Sequence, residues 1–210
     1  MDQVRTLRPT EIVGDKPFTN PDRIAYDVNA LRFMIDQLHL FLENDHLYSN
    51  LEPPIIIHKP SRDKWYYRLV IARPEQLLNR RELAFVGFLG HRREDANLEL
   101  ADEFDALLVS EIPDYPGLLS YSTMALSSGD FSNLVVFTDT SIKQEWSRSK
   151  THEQAVQKIS PNYYVSIKLY NGHLPSGIVD SNAMQLARVK YYDFQVTPRW
   201  HAVREFTGGS

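Results

Sequence analysis

With 210 residues, 42% hydrophobic and 24% charged, the chain has ordinary globular composition and is long enough for one domain with extensions or two small ones. A formal net charge of -4 at pH 7 argues against a phosphate-binding surface, and so against a nucleic-acid partner. The absence of Cys excludes a disulfide framework, a thiolate metal site and a Cys nucleophile.

The N-terminal MDQVRTLRPTEIVGD has no apolar run after its charges and does not read as a signal peptide. No window reaches the roughly 18 apolar residues of a membrane span, so the expectation is a cytoplasmic protein with no membrane partner. Residues 1–27, punctuated by Pro9, Pro17 and Pro21, read as an irregular arm. Leu31, Met34, Ile35, Leu38, Phe41 and Leu42 then recur at helical spacing and predict an amphipathic helix over 28–43, capped by Asn29 or Asp27. His39, Glu43 and His46 share one edge of it, but without an HExxH pattern they read as solvated residues, and no metal is expected.

The connector LEPPIIIHKP (51–60) leads through a short strand at 55–57 to a β-branched and aromatic strand, KWYYRLVIA (64–72), and a short helical link. The central stretch follows. LAFVGFLGH (83–91) is a strand, 94–112 a helix, LLSYSTMAL (118–126) and SNLVVFTD (132–139) two strands joined by SSGD. A Trp-bearing helical stretch over 141–159, broken around Ser147, Ser149 and Thr151, runs into a last strand, YYVSIKLYN (163–171). That order is β-α-β-β-α-β, the split βαβ of ferredoxin-like folds. A turn-rich loop (171–182), a final strand (186–194) and a tail holding Trp200 and Phe206 close the chain. The fold class is therefore α+β: residues 1–82 an arm, helix and strand extension packed on the core, 83–174 the ferredoxin-like unit, 175–207 a C-terminal strand and tail, and 208–210 a flexible or appended end.

Several central strands are apolar on both faces. Phe85, Gly87 and Leu89 alternate with Ala84, Val86 and Phe88, and Val135 and Phe137 with Leu134 and Val136. A strand apolar on both sides needs cover on both sides, supplied by a second subunit's sheet or by the flanking extension. FVGFLGHRRE (85–94), YPGLLSYSTM (115–124), NLVVFTD (133–139) and EWSRSKTHEQAV (145–156) together resemble the dimeric α+β barrel superfamily, particularly its antibiotic-biosynthesis-monooxygenase-like branch, over about 90 of the 210 residues. The resemblance implies a homodimer of face-to-face sheets with a pocket between helices and sheet. It further implies a small-molecule enzyme like the cofactor-independent monooxygenases or isomerases of secondary metabolism, acting on an apolar or aromatic substrate. A non-catalytic ligand-binding or stress protein of the same fold is the alternative. Heme-degrading members carry an axial His at the position that is Val156 here. No cofactor is thus expected, a heme held by another His being the remaining variant.

Within that frame His152 and His91 are the candidate acid/base residues and Arg93 the candidate anion clamp. Thr151 is expected to cap a helix starting at His152, whose imidazole the positive end of the helix would keep neutral. Trp146, Tyr121, Asn133, Tyr170 and Asn171 are the candidate substrate-binding residues, since polar side chains on apolar strands need partners. No GxSxG, GxGxxG or P-loop is present, so neither a Ser hydrolase nor a nucleotide site is expected.

Overall fold

The computed structural model describes residues 4–44, 48–60, 66–125 and 130–206. Its β-branched and aromatic runs form β1 (Arg5–Thr6), β2 (Ile55–Pro60), β3 (Tyr66–Ile71), β4 (Leu83–Arg92), β5 (Leu118–Ala125), β6 (Phe131–Phe137), β7 (Tyr164–Leu174), β8 (Gln185–Asp193) and β9 (Trp200–Glu205). All join one sheet in the order β1-β9-β8-β7-β4-β6-β5-β3-β2. Every pairing is antiparallel except β1 with β9. The helices are α1 (Asp22–Leu42), α2 (Pro74–Asn79), α3 (Leu98–Ser110), α4 (Thr140–Trp146), α5 (Lys150–Gln154) and α6 (Ser160–Tyr163), with a π-turn at Ala155–Ile159 between the last two. The result is a mixed α+β fold. Its central β4-α3-β5-β6-α4/α6-β7 segment lays its strands side by side in the order fourth, first, third, second.

The sheet is covered on both faces by its own chain. Leu31, Met34, Ile35 and Leu38 of α1 are fully buried against Phe85, Leu89, Leu134, Val136 and Tyr170. Each such aliphatic side chain stabilises docking by about 1.5–3 kcal/mol. A β-carbon at Gly87 would lie 2.4 Å from Leu31 Cδ1, so any other residue there would have to displace the buried Leu31 side chain. The opposite face buries Ala84, Tyr121, Val135, Phe137 and Trp146, with Ile142, Leu108 and Val109 packed on them from α4 and α3. The two-sided apolar strands thus have their cover in α1, the flanking extension, and do not themselves call for a second subunit.

Several boundaries differ from the sequence reading. Helix α1 starts at Asp22, and neither Asn29 nor Asp27 caps it. Asn20 Oδ1 instead accepts from the Asp22 N–H at 2.9 Å. Asp27 lies buried mid-helix, where Lys168 Nζ and the Tyr170 hydroxyl donate to its carboxylate. The N-terminal arm is tied down, because the fully buried Arg204 donates to the carbonyls of Arg8, Glu11 and Thr19 and to the Tyr191 hydroxyl. The tail 200–205, expected only to pack, is strand β9. Helix α3 begins four residues late, at the cap where Asn97 Oδ1 accepts from the Leu100 N–H at 3.1 Å. His39 Nε2 and Glu43 Oε1 stand 3.5 Å apart. His46, Lys64, Trp65, Leu126, the SSG of the expected turn and the 208–210 end lie outside the described residues. Among those described, no helix is long and apolar enough to cross a membrane, and no His/Asp/Glu group has metal-binding geometry.

Candidate functional site

The covering of the second face is incomplete. Side chains of β4 turned toward α1 are buried, whereas Val86 and Phe88, on the other side, are only half-buried. No residue of α3 is fully buried. Between that helix, the α4–α6 run and the sheet lies a cavity of about 480 Å³, within the usual range of small-molecule sites. Apolar and aromatic side chains make most of its wall, among them Val86, Phe88, Phe104, Leu108, Val135 and Leu169.

Polar groups enter at two ends. On the β5/β6 side, the Tyr121 hydroxyl donates to Asp105 Oδ1 at 3.1 Å and accepts from Asn133 Nδ2 at 3.1 Å. Asp105 is also gripped by both terminal nitrogens of Arg68, at 2.5 and 2.9 Å, and so ties α3 to β3. Burial, then the Asp105 charge, push the Tyr121 hydroxyl well above its ordinary pKa, which makes it a hydrogen-bond donor and not a phenolate. At the β7/β8 end, Lys143 Nζ donates to Asn171 Oδ1 at 2.8 Å, and Lys190 and Arg199 also line the wall.

Trp146 stands between these ends. Its indole meets Phe137 at 5.9 Å, Tyr121 at 6.3 Å and the His152 ring at 4.9 Å between centroids. The break between α4 and α5 makes that last contact: Asp139 caps α4, the chain turns through Ser147–Ser149, and Ser149 Oγ accepts from the His152 N–H at 3.1 Å. Ser149, not Thr151, is therefore the cap, because the Thr151 hydroxyl is spent on Glu111. His152 sits within the first turn of α5, and its pKa is lowered chiefly by burial, against the opposing pull of Glu111, the Ser147 backbone and Glu153. A neutral imidazole in an apolar wall can take a proton or donate one hydrogen bond. Three polar atoms carried by cavity residues are buried with no hydrogen-bond partner: Asn133 Oδ1, Trp146 Nε1 and His152 Nδ1. Buried polar atoms are nearly always satisfied.

Of the eight residues proposed from sequence, His152, Trp146, Tyr121, Asn133 and Asn171 line the cavity together. His91, Arg93 and Tyr170 do not. His91 keeps its register opposite Ser166 but is exposed at the end of β4, its Nδ1 2.7 Å from Asp130 Oδ1. Arg93 Nη2 donates to the Phe194 carbonyl at 3.1 Å, behind the cavity wall. Tyr170 faces α1, where its hydroxyl donates to Asp27. Sequence reasoning passed over Asp105, Lys143 and Lys190. Lys190 was readable, since Arg188, Lys190 and Tyr192 alternate with the buried Val189 and Tyr191. Asp105 was not, because nothing local marks which carboxylate of an acidic helix turns inward.

No family model and no curated protein matches the chain. Among solved structures, protein SO0527 from Shewanella oneidensis is similar with a TM-score of 0.39 and 12% identity, over 45% of this chain and 95% of that one. An aldoxime dehydratase is similar with a TM-score of 0.26 and 18% identity, over 59% of this chain, which spans 33% of that enzyme's length. Both likenesses are too slight to bear on function.

Proposed function

We propose that the chain binds an apolar or aromatic small molecule in the cavity between α3–α6 and the sheet. We read it as an enzyme of the cofactor-independent monooxygenase or isomerase type, built on a ferredoxin-like unit. The strand order fourth-first-third-second supports that reading of the central segment. One observation carries the site: three orphaned polar atoms, Asn133 Oδ1, Trp146 Nε1 and His152 Nδ1, on side chains that line a mostly apolar cavity.

In this reading the neutral His152 takes a proton from an activated C–H or O–H of the substrate. Trp146 Nε1, the unpartnered donor beside it, holds the oxygen on which negative charge develops. The work is done without a resident heme, since Val156 offers no ligating atom at the position where the resembled heme-degrading proteins carry His. A face-to-face dimer of sheets is not part of the proposal, because α1 occupies the face it would use.

A non-catalytic ligand-binding role is the second reading. It is favoured by one feature: His152 Nδ1 is bonded to no second acid or base. A panel of polycyclic phenols and aromatic ketones, assayed for oxygen uptake and for deuterium incorporation from solvent, separates the two. Turnover by the wild type that is lost in His152→Ala supports the enzyme. Binding without turnover in either protein supports the ligand carrier. A Soret band that survives gel filtration would contradict the heme-free reading.

A further inference from the structure

We infer that the ligand of this cavity carries a small anionic group, a carboxylate in the simplest case, seated between Lys143 and Lys190, with its apolar body lying across Leu169 and Phe88 toward Trp146 and His152. The inference rests on reading the cavity as a ligand site and adds the chemical class of what fills it.

The placement follows from register. Across the sheet, Lys190 of β8 is opposite Leu169 of β7, Leu169 opposite Phe88 of β4, and Phe88 opposite Asn133 of β6. All four line the cavity. Three strand spacings separate the backbones of Lys190 and Asn133, roughly 14 Å. One such row therefore runs from a cation, over two apolar side chains, to an unpartnered carbonyl oxygen. Lys143 reaches the cationic end from above. It lies one turn before Trp146 on α4, so a single helix supplies both a charge at one end and an aromatic ring at the other.

The charges at that end are unbalanced. Among the described residues, no carboxylate stands within ion-pair distance of Lys143, Lys190 or Arg199. Asp105 lines the cavity too, but Arg68 and Tyr121 already hold its carboxylate. Arg188, opposite Asn171 in the β7/β8 register, adds a further positive charge, and its neighbour across β9 is Glu205. Half-buried ammonium groups held together with only the exposed Glu205 acting on one of them are costly, and buried charges are ordinarily paired. The strain shows in the lysines. Burial first, then the neighbouring Arg188 and Lys190, lower the pKa of Lys143. Burial and Arg188 lower that of Lys190, against Glu205. A carboxylate accepting from both ammonium groups would relieve the repulsion with charge-assisted hydrogen bonds.

The test compares 2-naphthoate with the neutral 2-naphthylmethanol by isothermal titration calorimetry. The expected result is at least tenfold tighter binding of the carboxylate. Lys190→Met should bring the pair close to parity, and Lys190→Arg should restore the preference. Equal affinity of wild type for both probes, or a preference unchanged in Lys190→Met, overturns the anion site and leaves the cavity reading intact. Failure of both probes to bind overturns the cavity reading and the anion site with it. The comparison of two probes on the wild type needs no variant to fold.

Discussion

The rings of Trp146 and His152 stand edge to face, 4.9 Å between centroids at 63°, and both carry a buried ring nitrogen with no hydrogen-bond partner. Two short helices meeting at a three-residue break produce this contact, and both residues line the cavity. Removing the imidazole tests what the contact is for. His152→Ala should lower turnover by about 10²–10⁴, the usual contribution of a positioned acid or base. The melting temperature should change little, because Ser149 still caps α5. A strongly destabilised variant with full activity would make His152 a packing residue.

The lowered His152 pKa also predicts a pH dependence of stability. The folded protein holds this proton less tightly than the unfolded chain, whose value is 6.5. The unfolded state therefore binds more protons as pH falls through about 6.5, and stability present above that pH is lost below it. Denaturant melts between pH 7.5 and 5 should show this fall. His152→Gln should flatten it.

Asp105→Asn should release α3. The carboxylate gives that helix its bidentate link to Arg68, and none of the helix's side chains is fully buried to compensate. The cost should be roughly 2 kcal/mol, less than for a fully enclosed pair because Asp105 is partly exposed. Hydrogen exchange should locate the loss in 98–110, with α1 unaffected. Uniform loss of protection across the sheet would instead place Asp105 in the global core.

Much of the fold was legible because its signals are local. The alternation of Phe85, Gly87 and Leu89 with Ala84, Val86 and Phe88 identified β4, and the spacing of Leu31 to Leu42 identified α1. That the second apolar face is met by α1 depends on Gly87 and Leu31 coming together across the chain, which no window contains. The site divided in the same way. His152, Trp146, Tyr121, Asn133 and Asn171 were found from residue type and strand position. His91 was misplaced because it stands at the exposed end of β4 beside Asp130, Tyr170 by the face it takes, and Arg93 by a backbone carbonyl it happens to reach.

Because α1 covers the face a partner sheet would need, light scattering should return a mass near 24.3 kDa at micromolar concentration. A stable species of twice that mass would show that another surface, such as the β2 end of the sheet, pairs two copies.

The cavity beneath α3 is read as a ligand site, and a crystal structure of the protein soaked with 2-naphthoate decides whether it is one. The expected result is the carboxylate between Lys143 and Lys190 and the naphthyl body against Phe88 and Leu169, its far ring toward Trp146 and His152. A cavity holding only ordered water at saturating ligand, or the ligand bound elsewhere, would contradict it.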